Sequence, residues 1–202
     1  MTKKKSTKNW LKKHTKDKYV KMSLASRYRS RAFHKLQEID EKYKVIKSAN
    51  NIIDLGASPG SWSEYISRNY RHKKVIAVDQ TVMEPIEGVK FIHGDINNSE
   101  HRDKIRQIIT NADLVLSDIA PNISGVSFID TANMNSLLEI EISIVDKFLQ
   151  IGGKYLCKCF EGDSLNFLVE NLKDRFKFVK RLKPEASRSI SRELYVLGIE
   201  KI

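Results

Sequence analysis

The sequence predicts an α/β protein with an open, seven-stranded, mostly parallel sheet, one antiparallel strand near the edge and helices on both faces. Two observations predict this class. After Ser48, short runs rich in β-branched residues alternate with segments whose apolar residues recur at helical spacing. Near the C-terminus two strand-like runs then follow each other without a helix between them. The 202 residues suit one domain of this kind.

The chain opens with a strongly basic segment. Its first 47 residues contain 16 Lys and Arg and four acidic residues, whereas the rest of the chain contains 20 basic and 21 acidic residues. Residues 1–21 lack apolar periodicity, so we expect a mobile basic arm followed by a single domain over residues 22–202. This charge distribution indicates a polyanionic partner, because Lys and Arg contacts to phosphates release counterions.

A helix over residues 22–44 is expected to follow the arm, with Ser23 as its N-cap. Its apolar residues recur every three or four positions, as on a helix with one face against a core. They are Leu24, Tyr28, Ala32, Leu36, Ile39 and Tyr43. Arg27, Arg31 and Lys35 form a second row at intervals of four residues. The helix can therefore pack on the domain and present cations at the same time.

The remaining elements follow in alternation. We expect strands near residues 51–55, 74–79, 89–92, 112–117 and 153–159. Helices are expected near residues 61–70, 99–109, 133–150 and 164–175. The two last runs, Phe176 to Leu182 and Leu194 to Ile199, should pair as an antiparallel edge.

Several classes of protein are disfavoured by the sequence. Apolar runs fall short of the roughly 20 residues that span a bilayer, and no apolar segment follows the N-terminal lysines as in a secretory signal. We therefore expect a cytoplasmic protein without membrane contact. Cys157 and Cys159 flank Lys158 in a strand, where they cannot form a normal disulfide, so we expect reduced thiols. The five histidines are scattered, and we expect no metal site.

Aspartates at the carboxyl ends of the predicted strands indicate the ligand site. The turn from Asp54 to Trp62 uses small residues, but it is neither G-x-G-x-x-G nor a phosphate-binding loop. It therefore favours S-adenosylmethionine, which has no phosphates, with Asp79 accepting from the ribose hydroxyls and Asp95 from the adenine amino group. The predicted cofactor-binding residues are Asp54, Gly56, Gly60, Trp62, Asp79, Asp95 and Asp118.

Five blocks in order resemble the FtsJ/RrmJ (RlmE) family of ribosomal RNA 2′-O-ribose methyltransferases over nearly the whole chain. They are Asp17–Val20, Arg29–Phe33 with Lys35 and Leu36, Asp54–Trp62, Ser117–Asn122, and Ser187 and Arg188 with Ser191–Glu193. Ser58 and Ser61 stand where members often have alanine and glycine, and both remain small. The resemblance implies a Rossmann-like class I methyltransferase that uses S-adenosylmethionine, acting on a uridine in 23S ribosomal RNA of the large subunit.

The resemblance also implies a catalytic tetrad of Lys35, Asp118, Lys158 and Glu193. The chemistry is consistent with this set, because a ribose 2′-hydroxyl that attacks a methyl carbon must lose its proton. Lys158 is the expected principal proton acceptor, since a lysine desolvated beside a second cation gives up its proton more easily. Asp118 and Glu193 would orient the two lysines and balance their charge.

The expected partner is ribosomal RNA, bound by a monomer. RNA rather than DNA follows from the 2′-hydroxyl. The predicted phosphate contacts are Arg27, Arg29, Arg31, Arg188 and Arg192, together with the lysine-rich arm. Two alternatives stay open on the sequence: a tRNA 2′-O-ribose methyltransferase, and a non-catalytic RNA-binding factor in ribosome assembly. A dinucleotide-dependent oxidoreductase is disfavoured by the Asp54 to Trp62 turn.

Overall fold

The computed structural model describes residue 19, residue 22 and residues 28–187 and 191–202. Within these residues twelve helices and strands follow one another along the chain. In order they are α1 (Ala32–Tyr43), β1 (Asn51–Leu55), α2 (Ser61–Asn69), β2 (Lys74–Asp79), β3 (Val89–His93), α3 (Ser99–Ile108), β4 (Ala112–Ser117), α4 (Ser127–Phe148), β5 (Leu149–Phe160), α5 (Asp163–Lys173), β6 (Phe176–Leu182) and β7 (Glu193–Lys201). Apart from Tyr19, the predicted basic arm lies outside the described residues.

The seven strands form one sheet in the order β3-β2-β1-β4-β5-β7-β6. β7 lies between β5 and β6 and is antiparallel to both, while the other neighbouring pairs are parallel. The predicted mostly parallel sheet with one antiparallel strand near the edge is confirmed. The strand order reverses between β1 and β4, and open sheets bind ligands at the carboxyl ends of their strands at such a point.

Helices cover both faces of the sheet, as predicted. Alternate residues of each strand point to opposite faces, so Ile52 belongs to the apolar cluster beneath α1 and α2, and Ile53 to the cluster beneath α3, α4 and α5. Both side chains are fully buried. Burying an isoleucine of this kind contributes about 1.5–3 kcal/mol, and the two clusters together hold the sheet between its helices.

Three boundaries differ from the sequence-based prediction. α1 begins at Ala32 rather than near residue 22, and the Ser30 hydroxyl accepts from the Ala32 amide at 3.1 Å. α4 begins at Ser127, six residues earlier than predicted, where the Asp130 carboxylate accepts from the amides of Ser124 and Gly125. β5 begins at Leu149, directly after α4, with a register shift against β4. At the starts of α1 and α4, side chains form hydrogen bonds to the backbone. The spacing of apolar residues gives no sign of such bonds, so it did not predict these two boundaries.

The two cysteines lie on the packed face of β5. Both are free, buried thiols beneath α4 and α5, and Lys158 between them points to the opposite face, as strand alternation predicts. Within the described ranges, no three His, Cys, Asp or Glu side chains come together in a way that could hold a metal ion. Among the helices described, none has the length and apolar character needed to cross a membrane.

Candidate active site

The turn from Asp54 to Trp62 connects the end of β1 to α2. The amides of Gly56 and Ala57 donate to the carbonyl of Val78 in β2, at 2.9 and 3.2 Å. Gly56 has a φ of +68°, and a side chain there would collide with Ile119, which follows β4. Glycine is therefore needed at this position both for its backbone conformation and for the close approach of the next strand end.

A cleft of about 550 Å³ opens at these strand ends. It is lined by the last residues of β2 and by residues that follow β1, β2, β3 and β4: Gly56, Ser58, Val78, Asp79, Gln80, Thr81, Gly94, Ile96 and Asp118–Asn122. Asp79 lies at the edge of the cleft, and its two carboxylate oxygens accept from the amides of Ser58 at 2.9 Å and Thr81 at 2.6 Å. Each oxygen has a further lone pair, so Asp79 is fixed in place and can still accept from a ligand.

Four of the predicted cofactor residues do not line this cleft. The Asp95 carboxylate accepts from the Asn97 amide at 2.8 Å, although the neighbours of Asp95 on either side do line the cleft. A side chain at Gly60 would meet Ile86 at 2.7 Å. The indole of Trp62 is buried in the core, where it donates to the Ala32 carbonyl at 2.9 Å. The fourth, Asp54, lies beneath the turn.

Asp54 supports the turn from the interior of the protein. Its carboxyl is almost fully buried and accepts from the Ser63 hydroxyl at 2.6 Å. Burial raises the pKa of Asp54 to about 7, because a buried carboxylate loses its hydration. Asp54 therefore links the first turn of α2 to β1 and does not face the cleft.

The four residues of the predicted tetrad form two ion pairs. Lys35 lies 2.5 Å from Glu193, and Lys158 lies 3.2 Å from the Asp118 carboxylate. Lys158 also donates to the Asp118 carbonyl at 2.5 Å, and only 9% of Lys158 is exposed. Because Asp118 lines the cleft, this pair brings a nearly buried ammonium group to its edge. The prediction that a carboxylate orients each lysine agrees with this arrangement.

Tyr195 connects the two pairs and was missed by the sequence-based prediction. Its hydroxyl donates to Asp118 at 2.7 Å, and the Lys35 ammonium lies 5.8 Å from the centre of its ring. Burial, reinforced by the nearby carboxylates, raises the pKa of Tyr195 well above its usual range, so the hydroxyl remains a donor. Tyr195 follows Glu193 by two positions in β7 and therefore shares its face, a spacing that could have revealed it.

The predicted phosphate-binding arginines differ in how far the fold already uses them. The Arg29 guanidinium donates to the carbonyls of Pro59, Glu84 and Pro85 at 2.7–3.0 Å, so it fastens the turn after β1. Arg31 donates to the Ala186 carbonyl. Arg192 is exposed beside the tetrad residue Glu193 and donates to the Glu161 carbonyl at 2.6 Å. Arg27 and Arg188 lie outside the described residues.

Comparison with known proteins identifies the family. The model of a family described as FtsJ-like methyltransferase matches residues 28–201. The ribosomal RNA large subunit methyltransferase E of Janthinobacterium sp. (strain Marseille) is 41% identical over 207 residues, covering 98% of this chain and 97% of that protein. The chain belongs to the FtsJ-like methyltransferase family. This confirms the predicted resemblance, and the family implies a methyl donor.

Solved structures agree with this assignment. A crystal structure described as a ribosomal RNA methyltransferase from Plasmodium falciparum has a TM-score of 0.76 and 33% identity, covering 86% of this chain and 98% of that one. The fibrillarin pre-rRNA processing protein of Methanococcus jannaschii has a TM-score of 0.57 and 20% identity, covering 78% and 69%. The second likeness shows the fold alone. The cleft and the two ion pairs therefore lie in a methyltransferase fold.

Proposed function

We propose that this methyltransferase transfers a methyl group from S-adenosylmethionine to the 2′-hydroxyl of a uridine ribose in 23S ribosomal RNA of the large subunit. The observation that carries the proposal is the Lys158–Asp118 pair at the edge of the cleft. A methyltransferase that acts on a hydroxyl needs a group to take or position its proton, and a nearly buried lysine held by a carboxylate supplies one.

The residues around the cleft fit S-adenosylmethionine. Asp79 has accepting capacity left at the cleft edge and would hold the ribose hydroxyls, as an acidic residue does in Rossmann folds. Gly56 lines the cleft without a side chain, so that a ligand can approach its backbone. Asp118 adds a negative charge suited to a cationic sulfonium group. When bound, this cofactor supplies a methyl carbon activated by a positively charged sulfur.

Lys158 would accept the proton of the attacking 2′-hydroxyl while the methyl carbon bonds to that oxygen and its bond to the sulfur of the donor breaks, leaving the sulfur with the electron pair as a neutral thioether. The two bonds to Asp118 hold the Lys158 nitrogen in one position, which aligns it before the reaction. Asp118 then stabilises the ammonium that results from proton transfer.

Lys35 and Glu193 would complete the acceptor side of the site. Glu193 accepts from both Lys35 and the Ser187 hydroxyl, at 2.5 and 3.3 Å, which fixes the lysine close to the Tyr195 ring. In this position the Lys35 ammonium would donate to the ribose or to its adjacent phosphate. In the absence of RNA, Glu193 neutralises the charge of Lys35, so that the partly buried ammonium group is not left unpaired.

The RNA backbone would be held by basic groups outside the cleft. The exposed Arg192 lies beside Glu193, and the excess positive charge of the chain resides in its first 47 residues. Because the body of the protein is nearly neutral, the arm would supply most of the sequence-independent affinity. Binding should therefore weaken steeply with salt concentration, and affinity that does not depend on salt would contradict this role.

The large-subunit substrate is supported by the relatives. Curated proteins about 40% identical over nearly the full chain, among them that of Herminiimonas arsenicoxydans, are named ribosomal RNA large subunit methyltransferase E. A tRNA 2′-O-methyltransferase would use the same chemistry and is the alternative that an experiment must separate. A non-catalytic assembly factor is disfavoured, because such a protein has no need for two partly buried lysine–carboxylate pairs, one of which includes the cleft residue Asp118.

The proposal is tested by incubating the protein with labelled S-adenosylmethionine and, in parallel, large ribosomal subunits, naked ribosomal RNA or tRNA. We expect label in the large-subunit RNA, confined to one nucleotide when the product is mapped by nuclease digestion and mass spectrometry. Label in tRNA alone would replace the proposed substrate with the alternative. No label in any RNA would contradict the proposed enzyme activity.

A further inference from the structure

Glu141 is a buried carboxyl that the proposed chemistry leaves unused. It lies on α4 against the sheet and is fully buried. The Ser117 hydroxyl donates to one of its oxygens at 2.6 Å, and the Tyr155 hydroxyl donates to the other at 2.5 Å. Burial raises the pKa of Glu141 to about 7. An acidic group in a protein core is costly, and two hydroxyl donors offset only part of that cost.

Through its hydrogen bond to Ser117, Glu141 is connected to Asp118 of the candidate active site. Ser117 precedes Asp118 in the chain, and its hydroxyl oxygen also lies 3.4 Å from the Ile119 amide, which donates to it. Glu141 thus holds the side chain before Asp118, and through it the backbone after Asp118. The sheet adds one further bond of the same length at this point, from the Asp118 amide to the Leu55 carbonyl at 3.4 Å.

We infer that Glu141 is a positioning residue that fixes Asp118 through the Ser117 hydroxyl and thereby aligns Lys158. This inference rests on the proposed role of the Lys158–Asp118 pair. A displacement of Asp118 moves both atoms to which Lys158 donates, its carbonyl and its carboxylate oxygen. A displacement of this kind lowers the rate of the chemical step and leaves RNA binding unchanged, because neither Glu141 nor Ser117 is exposed to RNA.

The two hydroxyl donors provide a matched pair of variants. Ser117→Ala and Tyr155→Phe each remove one hydrogen bond from the same carboxylate, but Tyr155 has no hydrogen bond to Asp118 or its neighbours. Both variants should lower the melting temperature, since each removes a buried hydrogen bond. We expect Ser117→Ala to lower kcat by about tenfold or more with an unchanged KM for RNA. Tyr155→Phe should keep a kcat close to that of the unmodified protein.

Substitution of Glu141 itself separates position from packing. Glu141→Leu fills the space without an acceptor and should reproduce the loss of kcat seen in Ser117→Ala. Glu141→Gln keeps a carbonyl oxygen for the Ser117 hydroxyl and should restore most of the rate. Equal kcat values for Ser117→Ala and Tyr155→Phe would overturn the inference, as would a Gln variant no faster than the Leu variant. If Glu141→Leu fails to fold, the comparison of Ser117→Ala with Tyr155→Phe still decides.

The failure of this inference differs from a failure of the proposed function. The proposed function is tested with the unmodified protein alone. If that protein transfers no methyl group to RNA ribose, the reaction that Glu141 is inferred to support does not take place. If the unmodified protein transfers the methyl group and the two hydroxyl variants are equally active, the proposed function stands and Glu141 serves only to pack α4 on the sheet.

Discussion

At the scale of single residues, burial and pairing define the roles of the site. Lys158 is 9% exposed and makes two bonds to Asp118, whereas Asp79 accepts from two backbone amides at the cleft edge. We propose that Lys158 handles the proton of the acceptor hydroxyl and that Asp79 binds the cofactor. The two functions should therefore separate when each residue is replaced.

Lys158→Ala should lower kcat by about 10²–10⁴-fold and leave the affinity for S-adenosylmethionine nearly unchanged, because it removes a group needed for proton transfer. Asp79→Ala should weaken cofactor binding instead. Calorimetric titration and initial rates measure the two effects. Lys154→Ala, four residues earlier in the same strand and bonded to Ser48, is the matched lysine control. The reverse pattern, with Lys158→Ala losing cofactor affinity alone, would contradict the assigned roles.

Tyr195→Phe should lower kcat by about tenfold, since a hydrogen bond to a charged carboxylate contributes about 1.5–3 kcal/mol. Steady-state kinetics with RNA as the varied substrate would measure this change. Tyr70→Phe is a suitable control, because the Tyr70 hydroxyl donates to the Asp40 carboxylate, away from the cleft. If Tyr195→Phe keeps full activity, then Tyr195 does not position Asp118.

At the scale of elements, the segment before α1 fastens the turn that forms the cleft. The Arg29 amide donates to Glu64 in α2 at 3.0 Å, and the Ser30 and Ser61 hydroxyls share a hydrogen bond of 2.6 Å. These contacts join residues distant in the sequence, so apolar periodicity could not predict them. Periodicity predicted a helix from residue 22, whereas α1 begins at Ala32. The expected RNA substrate suggested a phosphate-binding role for Arg29, and the structure gives its guanidinium three carbonyl partners.

Arg29→Ala should lower the free energy of unfolding by about 1–3 kcal/mol, because three charge-assisted hydrogen bonds are lost from a turn. It should also weaken cofactor binding. Arg192→Ala provides the contrast: its exposed side chain should affect RNA affinity and reduce the salt dependence by about one phosphate contact. Thermal melts and RNA binding at several salt concentrations distinguish the two. If the Arg29→Ala protein keeps its stability but binds RNA more weakly, then Arg29 contacts RNA phosphates and does not fasten the turn.

Other elements were predictable because their signals are local. β1, β2 and β4 begin and end at the residues predicted from short β-branched runs, and β6 and β7 pair antiparallel because no helix separates them. The tetrad could be named from blocks in the sequence, but its pairing could not. The pairing of β4 with β5 brings Asp118 to Lys158 across 40 residues, and the packing of α1 on the sheet brings Lys35 to Glu193 across 158 residues.

At the scale of the whole molecule, the stability of the fold depends on pH through the buried carboxyl of Asp54, whose pKa differs between the folded and unfolded states. Burial raises the pKa of Asp54 to about 7, against 3.8 for an aspartate in an unfolded chain. Between these values the folded protein binds a proton that the unfolded chain has lost. The contribution of Asp54 to stability is therefore present at low pH and is lost as the pH rises from about 4 to about 7.

Asp54→Asn removes this titration and can keep the acceptor for Ser63. The free energy of unfolding of the variant, relative to the unmodified protein, should thus increase between about pH 4 and pH 7 and stay level above that range. Denaturant titrations across this range measure it. Asp130→Asn is the control, because hydrogen bonds from Ser124 lower the pKa of Asp130. The difference in the free energy of unfolding between this variant and the unmodified protein should therefore change only below about pH 4. A flat profile for Asp54→Asn would contradict the raised pKa.

The central claim concerns the atom that receives the methyl group. Large-subunit RNA labelled by the protein should be digested to nucleosides and analysed by mass spectrometry that separates methylation of the ribose from methylation of the base. We expect 2′-O-methyluridine as the labelled product, absent when Lys158→Ala replaces the unmodified protein. A methyl group on a base would rule out the ribose hydroxyl as acceptor, and a ribose product of undiminished yield from Lys158→Ala would rule out Lys158 as the proton acceptor.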